Sequence, residues 1–288
     1  MSTEINWFPG HMRKAMSEIT DRLKWVDIVI ETCDARIPFS SRNPELHKQI
    51  KDKNRIIVLN KADLADPQMT SVWLSHYESQ GIAAMAVDAN NKGDIQRLKK
   101  KMETICKPIL DKAASRGRIG RPVRAMVVGI PNSGKSTIIN ALCNRKVVVT
   151  GNRPGVTRAF QWAKSSDSLE LMDMPGVLWP NLGSKHNKLV LALSGAIKTE
   201  VTDMIYVASE GMKWISTLYP DYITTRYQVP GVVDPDDINE AYDRYLLAAR
   251  IKGCILSGGR IDEDRFAALF LDDFRSGRIG RITLEEPK

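Results

Sequence analysis

The chain of 288 residues is 43% hydrophobic and 26% charged, a composition typical of a soluble globular protein with one large domain or two smaller ones. No apolar run reaches the ~18 residues that a bilayer span requires, and the N-terminal sequence lacks the apolar segment of a secretory signal. The net charge of +8 leaves two interpretations equally open: a polyanionic partner such as nucleic acid, or an ordinary basic protein without one.

The charges and the cysteines are both scattered unevenly. Residues 1–124 hold 22 Lys and Arg against 15 Asp and Glu, whereas residues 231–288 hold 9 against 12. The cysteines stand apart, without a Cys-x-x-Cys pair, at Cys33, Cys106, Cys143 and Cys254. This spacing predicts a cytoplasmic protein with neither a zinc site nor a disulfide.

The first half of the chain alternates short apolar runs with longer polar stretches. Strands are predicted in "WVDIVIETCDAR", "RIIVLNKAD" and "GIAAMAVDAN", and helices over residues 66–80 and 92–106. Strands that alternate with helices favour an α/β fold with a mostly parallel sheet. Continuous apolar runs indicate that both faces of that sheet are covered.

The second half continues this pattern and then changes to helices. "RPVRAMVVGIPNSGKSTIINALCN" predicts a strand, a glycine loop and a helix, while "SLELMDMPGV" and "TDMIYVAS" predict two further strands. Apolar residues at helical spacing predict helices over 237–256, ending at Gly258 and Gly259, and over 262–276. We therefore expect an N-terminal arm (1–20), an α/β domain (21–215) and a small all-helical domain (225–288) that follows a linker, "GVVDPDD".

The pentapeptide "GRIGR" occurs twice, at 117–121 and at 277–281. Glycines flanked by arginines are able to bind phosphate groups. Ordinary turn chemistry explains the repeat at least as well.

Residues 129–136, "GIPNSGKS", match the complete Gly-x-x-x-x-Gly-Lys-Ser pattern of a nucleotide phosphate loop. In this phosphate loop, Lys135 is expected to reach the β- and γ-phosphates and Ser136 to hold Mg²⁺. Glycines let backbone N–H groups turn toward the phosphates, and the following helix points its positive end at them. The predicted phosphate-binding residues are Asn132, Ser133, Gly134, Lys135, Ser136 and Thr137.

Two downstream segments resemble the parts of such a site that sense the γ-phosphate. Asp173 ends a predicted strand in "DMPG", where its carboxylate is able to contact Mg²⁺ and the Gly176 N–H the γ-phosphate. Thr157 lies between the phosphate loop and Asp173, in "RPGVTR", and is expected to close over Mg²⁺ and the γ-phosphate. A surface threonine in a mobile loop is the alternative.

Residues 60–66, which we call the guanine loop, begin with "NKAD". The Asp63 carboxylate is able to accept hydrogen bonds from N1–H and N2–H₂ of guanine, whereas adenine would leave it unpaired. Asn60 is expected to brace the phosphate loop and the Lys61 stem to lie over the base. "VDAN", with Asp88, Ala89 and Asn90, is expected to complete the base pocket. These motifs together favour GTP over ATP.

The order of the motifs is unusual, because the base loops precede the phosphate loop. A parallel sheet presents its loops at one edge, so the strands can be rotated in the chain while the site is kept. The chain resembles the circularly permuted GTPases of the YlqF type. The resemblance covers the whole length and includes "NWFPGHMRKAM", "ETCDARIPFSSRNP", "NKAD", "GIPNSGKS", "RPGVTR" and "DMPGVLWP".

The resemblance implies GTP hydrolysis coupled to late assembly of the large ribosomal subunit, Mg²⁺ as a cofactor and a C-terminal domain that contacts rRNA. It suggests His11 as the residue that positions the attacking water, because Val177 stands where many GTPases have a glutamine. His11 as a structural or RNA-contacting residue is the alternative. By the same resemblance Asn132 helps bind K⁺, unless it only satisfies its own turn.

Three questions stay open at this level. Asp34 and Arg36 in "DARIP" either brace a loop, contact rRNA or form an internal salt bridge. The acidic balance of the tail requires its basic residues to share one face if that tail binds RNA: Arg244, Arg250, Lys252, Arg275, Arg278 and Arg281. A GTP-gated rRNA-binding checkpoint with incidental hydrolysis is the alternative function. No feature indicates a membrane partner or demands more than a monomer.

Overall fold

The computed structural model describes residues 10–149, 160–166, 168–198, 202–230 and 238–287. Within these ranges six strands form one sheet in the order β3-β2-β1-β4-β6-β5. The strands are β1 (Ile28–Asp34), β2 (Asn54–Asn60), β3 (Ala84–Val87), β4 (Val123–Gly129), β5 (Gln161–Ser166) and β6 (Leu169–Asp173). Neighbouring strands are parallel except for β5, which pairs antiparallel with β6. The expected mostly parallel sheet is confirmed.

The helices of the described part flank this sheet and continue beyond it. They are α1 (Gly10–Arg22), α2 (Pro44–Ile50), α3 (Pro67–Ser79), α4 (Lys92–Ala114), α5 (Lys135–Cys143), α6 (Lys185–Leu193), α7 (Met204–Leu218), α8 (Pro220–Tyr227), α9 (Ile238–Ile251) and α10 (Glu263–Ser276). Across the described ranges, none of these helices combines the length and apolarity needed to cross a membrane.

Both faces of the sheet are buried, as the continuous apolar runs predict. Alternate residues of a strand point to opposite faces. Ile28 and Ile30 of β1 therefore pack in one apolar cluster with residues of α4 and α5, while Val29 packs in another with residues of α1, α6 and α7. The same second cluster contains α10 and Ile282, so the C-terminal residues share a core with the sheet.

The strand order places a switch point between β1 and β4. From β1 the chain moves outward to β2 and β3, then returns to β4 on the other side and continues to β6. Thr32 pairs with Gly129 across this point, and Asp34 pairs with Asn60 on the opposite side of β1. Ligands of open α/β sheets bind at the carboxyl ends of strands where the order switches. The guanine and phosphate loops both begin at this edge.

Two predicted elements differ from the structure. Residues 202–209 were expected to form a strand, but they begin α7, because the Asp203 carboxylate accepts a hydrogen bond from Tyr206 N–H and caps a helix. The buried Val207, Gly211 and Ile215 follow helical spacing. Helix α9 ends at Ile251 and does not continue to 256; Gly258 and Gly259 instead lie in a turn bracketed by the Ile255–Ile261 bridge.

The predicted division near residue 225 falls inside α8, and the linker "GVVDPDD" (231–237) lies outside the described residues. Helices begin before that position, with α6 and α7 packed in the same cluster as α10. The three-part division stays a prediction.

Candidate nucleotide-binding site

The phosphate loop joins the end of β4 to the start of α5, which is the strand and helix context that its motif predicts. Its backbone turns sharply, with φ of +148° at Gly129, +58° at Asn132 and +89° at Gly134. A Cβ on Gly134 would overlap the Asn60 amide nitrogen. Glycine is therefore required at this position both for its backbone conformation and for the close approach of Asn60.

Asn60 and Thr32 hold the phosphate loop from the neighbouring strands. The Asn60 Nδ2 donates a hydrogen bond of 2.9 Å to the Ser133 carbonyl oxygen. The Ser133 hydroxyl is buried, 2.8 Å from Thr32 Oγ1 and 3.0 Å from the Ile130 carbonyl oxygen. Because this hydroxyl is hydrogen-bonded within the protein, Ser133 is expected to contact a nucleotide through its backbone. Thr32 was not predicted, since a threonine inside an apolar run carries no motif.

Lys135 is buried at the start of α5 and donates a hydrogen bond of 2.8 Å to the Ile130 carbonyl oxygen. Burial lowers the pKa of its ammonium group to about 8, although the charge of Asp173 opposes this shift. A Cβ on Gly176 would lie 2.8 Å from both Lys135 Nζ and Pro131 Cα. The Asp173–Gly176 segment thus closes directly onto the phosphate loop, and only glycine permits that approach.

Ser136 and Asp173 are the described residues expected to bind Mg²⁺. Ser136 is half-buried in the first turn of α5, and Asp173 is buried at the end of β6, the strand that pairs with β4. A hydroxyl and a carboxylate are oxygen ligands of the kind Mg²⁺ prefers, alongside phosphate oxygens. Their chemistry and shared edge fit this ion. Thr157, the third expected ligand, lies outside the described residues.

Asn132 connects the phosphate loop to the helical layer. Its Nδ2 donates a hydrogen bond of 2.6 Å to the Gly195 carbonyl oxygen, just after α6. The guanidinium of Arg275, at the end of α10, donates to the carbonyl oxygens of Leu193 and Ala192 at 3.0 Å each. The hydrogen bond from Asn132 Nδ2 to Gly195 fixes the orientation of the side-chain amide and turns its Oδ1 away from Gly195. Thr137 is half-buried in α5.

Lys61 follows Asn60 with a positive φ of +59°. Its ammonium group donates a hydrogen bond of 2.8 Å to Asp34 Oδ2, while Arg36 contacts both oxygens of the same carboxylate at 2.8 and 2.9 Å. Asp34 and Arg36 are buried. They form an internal ion pair, and the rRNA contact considered above is wrong for these two side chains.

The electrostatics of this ion pair are set by burial and by the two cations. Burial by itself would raise the pKa of Asp34, but the charges and hydrogen bonds of Arg36 and Lys61 outweigh it and hold that pKa well below its ordinary value. Burial lowers the pKa of Lys61, against the attraction of Asp34. Asp34 is thus a carboxylate across the physiological range and anchors Lys61 to the sheet.

Asp63 is exposed on the guanine loop, next to the loop after β3. Partial burial, and then the charge of Asp88, raise the pKa of Asp63. The Ala62 N–H donates to the Val87 carbonyl oxygen at 3.2 Å and joins the two loops. The Asp88 carboxylate accepts the Asn90 N–H at 2.8 Å, so it orders its own turn beside Ala89.

The structure thus brings the loops after β2, β3, β4 and β6 to one edge of the sheet, while the ligand roles assigned to their residues stay predictions. Val177 is buried in the apolar core and donates its N–H to the Gly129 carbonyl oxygen at 3.2 Å. Its side chain is withdrawn from the site and cannot orient water. The backbone of His11 belongs to α1, but its side chain lies outside the described part.

The basic residues of the tail do not share one free face. Arg244 is paired with Glu240, and Arg278 with Asp272 and Asp273. Arg275 and Arg281 donate to backbone carbonyl groups of α6 and of the guanine loop. The arginines of the second "GRIGR" therefore contact other parts of the protein. Of the remaining basic residues considered for a shared face, Arg250 is exposed, and Lys252 is half-buried with its ammonium group 5.6 Å from the Tyr227 ring centre.

Comparisons with known proteins find related GTPases. A family model described as 50S ribosome-binding GTPase matches residues 124–228. Ribosome biogenesis GTPase A of Priestia megaterium is 42% identical over 284 residues, which cover 98% of this chain and 97% of that protein. The protein of the same name from Thermotoga maritima is 28% identical over 99% of this chain and 95% of its own length. The crystal structure of GNP-bound YlqF from T. maritima aligns with a TM-score of 0.67 at 25% identity, over 96% of this chain and 99% of that one.

Proposed function

This chain belongs to the ribosome biogenesis GTPase A family of circularly permuted, YlqF-type GTPases, and we propose that it binds the large ribosomal subunit and couples GTP hydrolysis to a late step of its assembly. It is a GTP hydrolase. The observation that carries the proposal is the 42% identity to a ribosome biogenesis GTPase over nearly the full length of both chains. The proposed partners are GTP, GDP, the large subunit and its rRNA, with the protein acting as a cytoplasmic monomer.

In this proposal Asp63 selects guanine and Lys135 binds the β- and γ-phosphates. Support comes from the 2.9 Å hydrogen bond between Asn60 Nδ2 and the Ser133 carbonyl oxygen, which joins the guanine loop to the phosphate loop. Ser136, Asp173 and Thr157 would hold Mg²⁺, which when bound neutralises charge on the phosphate oxygens. Asp88, Ala89 and Asn90 complete the base pocket, and Gly176 contacts the γ-phosphate through its backbone.

The attacking water has to be positioned by a residue other than Val177. We assign this role to His11, which would move toward the phosphates when the N-terminal arm docks on the ribosome. Asn132, oriented by its bond to Gly195, is assigned to a K⁺ site beside the phosphates. In these assignments hydrolysis depends on ribosome docking through His11 and on K⁺ through Asn132. Together they would replace the glutamine that many GTPases use to orient the attacking water.

The rRNA surface is proposed to include the exposed side of α4 and the loop that follows this helix. Lys100, Arg116 and Arg118 are exposed there. Other basic residues of the region have partners within the protein: Lys101 donates to the Ala84 carbonyl oxygen at 2.7 Å, Arg121 pairs with Asp27 at 2.9 Å, and the exposed Arg124 pairs with Glu170 at 2.9 Å. Phosphate contacts from the exposed residues would give binding that weakens with salt.

The test is GTP turnover in potassium buffer, alone and with purified large subunits, with small subunits as the control. We expect marked stimulation by large subunits only, and loss of that stimulation in His11→Ala with GDP affinity unchanged. Replacing K⁺ by Na⁺ should lower the turnover. Equal turnover with and without large subunits, combined with GTP-dependent binding to them, would contradict the proposal and favour the GTP-gated checkpoint.

A further inference from the structure

The C-terminal residues lie along the guanine loop and satisfy its backbone. We call residues 277–283 the tail segment. The guanidinium of Arg281 donates to the Ala65 carbonyl oxygen at 2.9 Å through Nε and to the Ala62 carbonyl oxygen at 3.0 Å through its terminal nitrogen. The Ile282 N–H donates to the Leu64 carbonyl oxygen at 3.0 Å. These acceptors bracket Asp63, although they lie some 220 positions earlier in the chain.

The two sides also pack closely. A Cβ on Gly277, which has a φ of +76°, would lie 2.7 Å from Leu64 Cδ2. The Thr283 hydroxyl accepts a hydrogen bond of 3.2 Å from the Asp66 N–H at the far end of the guanine loop. The loop is therefore in contact with the tail segment from Ala62 to Asp66, and Asp63 is the exposed position between these contacts.

A second contact reaches the same loop from the end of α10. Arg36 donates to the Phe274 carbonyl oxygen at 2.7 Å and stacks its guanidinium 4.6 Å from the Phe274 ring centre. The same guanidinium holds Asp34, which binds the ammonium group of Lys61. Lys61, which precedes Ala62, is thus held by a series of contacts that begins at the end of α10.

We propose that Arg281 is a positioning residue of the guanine site: it fixes the backbone around Asp63 so that the carboxylate faces the base. The inference rests on the proposed role of Asp63 in binding guanine. Two hydrogen bonds from one planar guanidinium hold two carbonyl groups in a fixed relation, which a flexible single donor cannot do. The tail segment is in this sense part of the nucleotide site.

Electrostatics act in the same direction. Asp63 must be ionised to accept both guanine hydrogens, and burial together with Asp88 raises its pKa. The positive charges of Arg36 and Arg281 oppose that rise. The charge of Arg281 thus opposes the rise in the Asp63 pKa, while its two hydrogen bonds hold the backbone around Asp63.

The experiment compares GDP with inosine diphosphate, which lacks the N2 amine and reports the second hydrogen bond to Asp63. Affinities are measured by competition with a fluorescent guanine nucleotide for Arg281→Ala, Arg281→Lys and the control Arg278→Ala. Arg278 lies in the same tail segment but contacts Asp272 and Asp273, not the guanine loop. Urea unfolding of each variant separates loss of folding from loss of recognition.

We expect Arg281→Ala to bind GDP about tenfold more weakly and inosine diphosphate only about twofold more weakly, as the loss of roughly one charge-assisted hydrogen bond implies. Arg281→Lys should recover part of the selectivity, and Arg278→Ala should keep the wild-type ratio. An unchanged ratio in folded Arg281→Ala, with wild-type protein still selective, would overturn the inference alone. Wild-type protein that binds inosine diphosphate as tightly as GDP would instead overturn the proposed role of Asp63.

Discussion

Asp34→Asn tests the buried ion pair that anchors the guanine loop. The substitution keeps the shape of the side chain but removes its charge. In the native protein this carboxylate accepts hydrogen bonds from Arg36 and Lys61 at 2.8 to 2.9 Å. The amide would leave the Arg36 guanidinium, whose side chain is 1% exposed, without a counterion. Removing one partner of a buried ion pair lowers the stability by more than the intact pair contributes, because the other charge stays buried without a counterion.

The magnitude follows from burial. Removing one partner of a buried ion pair costs about 3–5 kcal/mol. Lys61 is 24% exposed, so water screens part of its charge and the lower end, about 3 kcal/mol, is expected. The matched control is Asp111→Asn, which breaks the pair of Lys107 and Asp111 with side chains 72% and 64% exposed. Such surface pairs contribute about 0–1 kcal/mol.

Urea unfolding followed by tryptophan fluorescence measures both variants. Because the folded pKa of Asp34 lies below the ordinary value of about 3.9, its contribution is fully present above that pH. It is lost as the pH falls through the folded pKa. The stability gap between wild type and Asp34→Asn should therefore stay constant from neutral pH down to about pH 4 and narrow below it. A loss no larger than that of Asp111→Asn would refute the reasoning.

Two further predictions concern the phosphate loop. Gly134→Ala should bind GDP at least about tenfold more weakly, because its methyl group would displace Asn60. The control Gly81→Ala, also at positive φ but with open space around it, should lose only about 1 kcal/mol of stability and should bind GDP as tightly as the wild type. Equal GDP binding by the two variants would contradict the role given to Gly134. GDP affinity should fall as the pH rises from about 7 to about 8.5, because the buried Lys135, with a pKa of about 8, binds phosphate as an ammonium group. Guanosine, which has no phosphate, should bind with the same affinity at both pH values. A GDP affinity that does not change with pH would exclude titration of Lys135 in this range.

Local patterns made much of this architecture predictable. The apolar runs ending in "NKAD" and "GIPNSGKS" are strands followed by loops, and parallel pairing brings such loops together whatever their order in the chain. The position of Asn60 against the phosphate loop follows from these two facts. The segment 202–209 was misassigned because a short apolar run fits a strand as well as a buried helix; the cap at Asp203 decides it.

Contacts between distant segments could not be predicted in the same way. Thr32 and Ser133 meet only because β1 and β4 are neighbours in the sheet. Arg281 was considered for RNA, since a sequence shows its charge but not the carbonyl groups that occupy it. The pairing of Asp34 with Arg36 was one of several options, because the sequence does not show that both residues are buried or that Arg36 contacts Phe274 of α10.

The most direct test of the central claim is the base specificity of Asp63→Asn. The asparagine amide has an N–H₂ that is able to donate to the C2 oxygen of xanthine, whereas it loses one acceptor for the guanine N2 amine. Wild-type protein should prefer GDP over xanthosine diphosphate, and Asp63→Asn should reverse that preference. A variant that folds and still prefers GDP would contradict the account, because guanine would then be recognised by residues other than those after β2.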